Sequence, residues 1–265
     1  MIRVCIAGAT GWAGRALTAG VLAAEDMQLV SAVARSAAGS DLGLALGGSP
    51  LGIRVSATVT EALADGVDVM VDYTSHAAVG GNVKAAVNLG VSVVVGSSGL
   101  SAADFAEIDA LAREHRVGVI SAGNFSITAA MAQAAALFVA RHLPQVEIID
   151  YADSAKPDAP SGTACEMAER LAGAGAASTP VAPDVDSVNR AARGAEVGSV
   201  RVHSLRLPGY SLSTEAVFGL PDERLTIRHD AGTSAEPYVA GTLLAIRRVI
   251  GRVGLTRGLD TLLAE

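Results

Sequence analysis

The run Lys156 to Ala164, KPDAPSGTA, carries the residue types best suited to chemistry in this chain, placed directly before the helix-forming run ACEMAERLA. Pro160 stops the preceding segment, and Ser161 or Gly162 takes the N-cap position. The first turn of such a helix points free backbone N–H groups and the positive end of its dipole outward. That is a seat for an anion. The hydroxyls of Ser161 and Thr163 add two donors, and Lys156 adds a full positive charge. The plainer alternative is a capped helix beside a solvated lysine. Just upstream, Tyr151 and Asp153 are further groups able to hold or deliver a proton. Their plainer alternatives are a packed strand residue and a solvated loop acid.

A second constellation lies at the start. The apolar run Ile2 to Ala7 leads into GATGWAG, and a helical stretch, Arg15 to Ala24, follows. Strand, glycine loop and helix together read as a dinucleotide site. Gly8 turns the chain, Gly11 lets the backbone approach a pyrophosphate, and Gly14 lets helix and strand close up, with Thr10, Trp12 and Ala13 completing the loop. The next strand, Gln28 to Ala34, ends in Ala34-Arg35-Ser36 where a free ribose 2′-hydroxyl would call for Asp or Glu. A guanidinium and a hydroxyl suit a 2′-phosphate, which favours NADPH over NADH; the alternative is an ordinary exposed loop charge.

The elements that must position these groups follow from periodicity. Strands over Val67 to Asp72, Val91 to Val95 and Val117 to Ser121 alternate with helices over Val59 to Asp65, Ala77 to Leu89 and from Ser101, where Asp104 completes a capping box. This predicts an α/β fold, a doubly wound parallel sheet whose ligands sit beyond the carboxyl ends of its strands. Tyr73 and Thr74, Gly96, Ser97, Ser98 and Gly99, and Ala122, Asn124 and Phe125 all fall at such ends. After Phe125 the pattern changes. A long Ala-rich helix, Thr128 to His142, precedes a strand, Gln145 to Asp150, and the KPDAPSGTA element. Gly173 to Gly198 reads as loop with one short helix, Asp41 to Arg54 as loop. Val200 to Leu207, Ser213 to Gly219 and Arg224 to Asp230 read as strands of a mixed sheet. A Pro237-led helix, Tyr238 to Ile250, closes the chain. The expected organisation is a dinucleotide-binding domain over 1–123, completed by 231–265, and an α+β substrate and oligomerisation domain over 124–230.

Composition agrees with this class. Half of the 265 residues are hydrophobic but only 3% are aromatic, the Ala/Val/Leu/Ile filling of a helix-covered parallel sheet. A formal charge of −7 without a Lys/Arg cluster argues against a nucleic-acid surface. No signal segment is apparent, and the most apolar stretch, Ile127 to Ala140, is too short to span a bilayer, so a cytoplasmic protein is expected. Cys5 and Cys165 have no metal or redox spacing.

GATGWAG, Asp72-Tyr73-Thr74, Gly96 to Gly99, Ala122 to Ser126, KPDAPSGTA, HSLRLPG (His203 to Gly209) and LTIRHD (Leu225 to Asp230) occur in the order seen in dihydrodipicolinate reductases, which the whole chain resembles. The resemblance implies a cytoplasmic homotetramer of the lysine and diaminopimelate pathway that reduces a cyclic imino-dicarboxylate with NADH or NADPH. It implies that Lys156, Ser161, Gly162 and Thr163 bind substrate, Lys156 sharing in catalysis, with Asn124 nearby. It gives the cofactor to Gly8 to Gly14, the 34–36 corner, Gly96 to Ser98 and Ala122 to Phe125. The family carries E-x-H-H-x-x-K before its anion seat, the first histidine taken as general acid and the second as a substrate contact. Here the segment is Asp150-Tyr-Ala-Asp-Ser-Ala-Lys156, so Ala152 and Asp153 stand at those positions. Losing a positioned acid typically costs roughly 10²–10⁴ in rate. Protons must then come from Lys156, Tyr151, Asp153 or water. A changed substrate follows as one expectation: a carboxylate-bearing imine, handled by an imine reductase or an amino-acid or amine dehydrogenase of the same fold. A non-catalytic NADPH-binding homologue is the competing class.

Overall fold

The computed structural model describes residues 1–64, 66–180 and 190–265. The expected helix end at Asp65 and the 181–189 part of the Gly173 to Gly198 loop lie outside them. The chain divides into two compact units, Met1–Ile127 with Ala235–Glu265, and Thr128–Ser234.

The first unit opens with β1 (Ile2–Ala7), α1 (Trp12–Ala23) and β2 (Met27–Val33). There follow the short α2 (Leu42–Ala45), β3 (Val55–Ser56) and α3 (Val59–Ala62). Then come β4 (Val69–Asp72), α4 (Val79–Asn88), β5 (Ser92–Val95), α5 (Ala102–Glu114) and β6 (Gly118–Ser121). The strands β4, β5 and β6 are buried along their whole length, which is why they read as mainly apolar runs with a polar residue at one end and not as alternating ones. The expected capping box is present: Ser101 Oγ accepts from the Asp104 N–H at 3.2 Å, and the Asp104 carboxylate accepts from the Ser101 N–H at 2.9 Å.

From α6 (Ile127–Ala140) the chain enters the second unit, with β7 (Val146–Ala152), α7 (Gly162–Gly173), β8 (Ala195–Val197), β9 (Val200–Arg206), β10 (Leu212–Leu220) and β11 (Glu223–Ala231). These strands form a mixed sheet in the order β11-β10-β7-β9-β8, with β7 and β9 parallel and the other pairs antiparallel. β7 alternates buried and half-buried residues, so Val146, Ile148, Asp150 and Ala152 share its core face. Ala136, Met167, Leu171 and Phe218 fill that core.

Four expectations need correction. The Gly173 to Gly198 stretch is not only loop with a short helix, because β8 lies within it and pairs antiparallel with β9. β7 runs two residues beyond Asp150, so Tyr151 and Ala152 are strand residues. Residues 41–54 are not all loop, because the Asp41 carboxylate caps α2 and also accepts from the N–H groups of Leu51 and Gly52. The chain also continues past its last long helix, α8 (Pro237–Val249), into β12 (Gly254–Arg257) and α9 (Asp260–Leu263). β12 pairs in parallel with β6 and completes a seven-stranded sheet, β12-β6-β5-β4-β1-β2-β3, all of whose pairs are parallel. Four residues, GLTR, carry too little pattern to announce a strand; pairing defines it.

Candidate active site

Strand order reverses between β1 and β4, which places the switch point of the first unit at the glycine loop. Gly8 has φ +86°, and a Cβ on it would lie 2.2 Å from the Tyr73 carbonyl oxygen. A Cβ on Gly14 would lie 2.1 Å from the Gly8 carbonyl oxygen, so this glycine does close helix onto loop. Gly11 is the N-cap of α1 and brings no side-chain cap, leaving the head of the helix open to a ligand anion. Thr10 turns its carbonyl to Arg15 Nε at 3.1 Å, and Arg15 also reaches the Leu46 carbonyl at 3.2 Å. Arg15 was not expected here; it adds a cation at the loop where Trp12 brings none.

Trp12 is 54% exposed and stands edge-on to Tyr238, ring centroids 5.7 Å apart. Tyr73 lies between Phe125 and Tyr238, at 6.2 and 6.5 Å, and its hydroxyl is 3.2 Å from Thr242 Oγ1. Four of the chain's nine aromatic residues thus gather at these strand ends. The Tyr73 ring needs Gly96, whose Cβ would fall 2.1 Å from it. Arg35 and Ser36 occupy a short 3-10 turn at the end of β2; both are exposed, and Arg35 has no hydrogen bond or ion pair among the described residues. An unpaired guanidinium there suits a 2′-phosphate. Asn124 Oδ1 accepts from the Ser126 N–H at 2.8 Å, and Phe125 is buried below its carbonyl, against which Gly241 packs. Ala122 is buried at the end of β6, and Ser98 is exposed at the end of β5. Glycine cradle, uncapped helix and unpaired arginine together fit a dinucleotide phosphate.

In the second unit, Ser161 is the N-cap of α7, accepting from the Ala164 N–H at 3.3 Å. Its own hydroxyl donates to Asp150 Oδ1 at 2.7 Å and its N–H to Asp150 Oδ2 at 2.8 Å. Ser161 is therefore buried and committed, and does not supply the free donor expected of it. Gly162, at the head of the helix, keeps an N–H with no partner among the described residues, and Thr163 follows it. Lys156 Nζ lies 2.6 Å from Asp158 Oδ1, at the partly exposed rim of this turn. The Asp153 carboxylate accepts from the Ala155 N–H at 2.9 Å, and its carbonyl from the Lys156 N–H at 3.0 Å, so Asp153 shapes the turn that carries the lysine. Ala152 is fully buried.

Tyr151 is a correction. Adjacent residues of a strand face opposite ways, so Tyr151 points away from the face that carries Asp150 and Ala152. Its hydroxyl donates to Glu215 Oε2 at 3.1 Å, Arg228 lies 4.9 Å over its ring, and Tyr210 is 5.2 Å away. Burial, then the Glu215 carboxylate, pushes its phenol above the usual range. Neither geometry nor acidity suits it as proton donor to a ligand at α7. Burial likewise pushes the Cys5 thiol up to about 12, which keeps it protonated and unreactive.

The residue that sequence reasoning passed over in this unit is Asp150. Arg206 Nη2 lies 2.8 Å from its Oδ2, Ser204 Oγ donates to the same oxygen at 3.2 Å, and Arg206 also donates to the Asp158 carbonyl at 2.6 Å. One guanidinium thus ties strand end and anion-seat loop together. The signal was an acidic residue on the apolar face of VEIIDYA, a position that demands partners.

The family description "Dihydrodipicolinate reductase, N-terminus" matches residues 2–125, and "Dihydrodipicolinate reductase, C-terminus" matches residues 125–263. The chain is 40% identical to a 4-hydroxy-tetrahydrodipicolinate reductase of Moorella thermoacetica over 264 residues, covering 99% of this chain and 98% of that one. It is similar to a dipicolinate-bound dihydrodipicolinate reductase from Paenisporosarcina sp. TG-14, with TM-score 0.76, 28% identity and coverage of 98% and 99% of the two chains. GenD2 from gentamicin A biosynthesis, solved with NAD, shares the fold at TM-score 0.67 and 16% identity, with coverage of 100% and 90%.

Proposed function

The chain belongs to the dihydrodipicolinate reductase family, and from that premise we propose that it reduces the unsaturated carbon–nitrogen system of a small carboxylate-bearing substrate with NADPH in preference to NADH. When bound, the reduced dinucleotide supplies the hydride to the electrophilic carbon, and a proton completes the reduction at the neighbouring atom. The glycine cradle and the head of α1 hold the pyrophosphate, while Arg35 and Ser36 meet the 2′-phosphate. The head of α7, through Gly162 and Thr163, receives the substrate carboxylate, and Lys156 orients it and serves as a proton source. The observation that carries the reading is the pairing of an uncapped glycine-loop helix with a lysine-bearing anion seat in one chain of this family.

A changed substrate is favoured by one specific observation: a buried alanine and a turn-capping aspartate stand where the family's two histidines are expected. A cationic iminium with a single carboxylate suits Asp153 better than a dicarboxylate does, because a second ligand carboxylate meets like charge. NADPH oxidation tests this against the 4-hydroxy-tetrahydrodipicolinate precursor, Δ1-piperideine-2-carboxylate, Δ1-pyrroline-2-carboxylate and 2-oxo acids with ammonia. The monocarboxylate imines are expected to turn over at least about 10²-fold faster than the dicarboxylate. The reverse order defeats the changed substrate, and NADPH binding without turnover on any of them favours the non-catalytic class. The reading also includes a cytoplasmic homotetramer; a monomer mass by light scattering would contradict the assembly. Among the described residues no helix is long and apolar enough to cross a membrane.

A further inference from the structure

Asp72 ends β4 at the switch point and is fully buried, with no cationic partner among the described residues. Its carboxylate instead accepts from the Thr74 N–H at 3.1 Å, the Thr74 hydroxyl at 2.8 Å, the Ser97 hydroxyl at 2.6 Å and Asn82 Nδ2 at 2.8 Å. The donors come from three places: the loop after β4, the loop after β5, and α4. Each hydroxyl is also used as an acceptor, Ser97 Oγ from the Thr74 N–H at 2.7 Å and Thr74 Oγ1 from Asn82 Nδ2 at 3.3 Å. The Asp72 carbonyl adds bonds from the N–H groups of Gly96 and Ser97 at 2.9 and 3.2 Å. Thr74 and Ser97 were expected among the cofactor-binding residues; their hydroxyls are turned inward onto Asp72, which leaves their backbone to face a ligand.

A buried carboxylate satisfied only by hydroxyl, amide and backbone donors of two adjacent strand-end loops fixes those loops against each other. The first of them is pressed against the dinucleotide loop, where the Tyr73 carbonyl abuts Gly8, and the Tyr73 ring covers Gly96 of the second. We infer that Asp72 is a positioning residue that sets the backbone of residues 73–74 and 96–98 for the nicotinamide half of the cofactor, while the pyrophosphate half is held by the glycine loop and the head of α1. The inference rests on the dinucleotide reading above.

The test compares two probes, NADPH and 2′-phospho-ADP-ribose, which lacks the nicotinamide ring but keeps its ribose. In Asp72→Asn only one acceptor oxygen remains, so the side chain cannot accept from Ser97 and Asn82 at once, and its new NH2 meets a donor on the other side. NADPH affinity is expected to fall about tenfold, with a parallel fall in kcat, while 2′-phospho-ADP-ribose binds within about twofold of the unaltered chain. Equal losses for both probes would make Asp72 merely structural, and no loss for either would overturn the positioning role. Should Asp72→Asn not fold, Asn82→Ala removes one donor from the same carboxylate and is expected to show the same split at smaller size. If the unaltered chain binds neither probe, the dinucleotide reading itself fails, a result distinct from every outcome for Asp72.

Discussion

Replacing Asp150 by alanine is expected to lower the unfolding free energy of the chain by about 3–5 kcal/mol. Asp150 holds Arg206 at 2.8 Å, accepts both the hydroxyl and the N–H of Ser161, and takes a further hydrogen bond from Ser204. Its side chain is 2% exposed and that of Arg206 15%, so removing the carboxylate strands a guanidinium that water reaches only slightly. Arg206 keeps its bonds to the carbonyls of Asp150, Leu205 and Asp158, but no counter-charge. The cost is therefore that of an uncompensated charge together with an orphaned N–H, not the small net worth of the pair. Asp150→Asn preserves the volume and one acceptor and should cost about 1.5–3 kcal/mol. Urea unfolding followed by circular dichroism reads both. Equal stability of all three chains would mean that the Arg206 clamp contributes nothing to the anion seat.

Gly14→Ala is expected to weaken NADPH binding by at least about 100-fold, or about 2.7 kcal/mol. The added methyl would meet the Gly8 carbonyl oxygen at 2.1 Å and the Ala9 Cα at 2.8 Å, both backbone atoms. That carbonyl also accepts from the Gly11 N–H at 2.9 Å, so relief of the clash opens the turn that the pyrophosphate needs. Gly81→Ala is the control. Nothing lies within 4 Å of a Cβ there, and α4 should gain about 0.5–1 kcal/mol from losing a helical glycine. Fluorescence titration of the two variants separates a local cradle effect from general glycine loss; equal NADPH affinity in both would remove the glycine loop from the site.

How much of this was legible in the chain depended on how far apart the partners lie. The central parallel strands announced themselves because burial on both faces leaves mostly valine and its like, as in VMVD and SVVV, with a polar residue only at one end. The glycine loop and the start of α7 were equally plain, since each is a local solution to a local backbone problem. Arg206 and Asp150 are 56 residues apart, and no periodicity links them; only the sheet, which pairs Ala152 with Arg206, brings them together. The hub at Asp72 was hidden for the same reason, its donors lying up to 25 residues away. Ser161 and Tyr151 show a different limit. Their chemistry was read correctly as residue types, but strand alternation and a buried carboxylate had already assigned each of them elsewhere.

The account stands on a phosphorylated nicotinamide dinucleotide binding to the first unit, and calorimetric titration of the intact chain with NADPH and then NADH measures that directly. One NADPH per chain is expected, with a Kd in the micromolar range, about −8 kcal/mol, and about tenfold weaker uptake of NADH through loss of the 2′-phosphate contact at Arg35 and Ser36. Trp12, the chain's single tryptophan, should lose emission in step with the heat. Absence of heat with both dinucleotides, at concentrations well above that range, would contradict it.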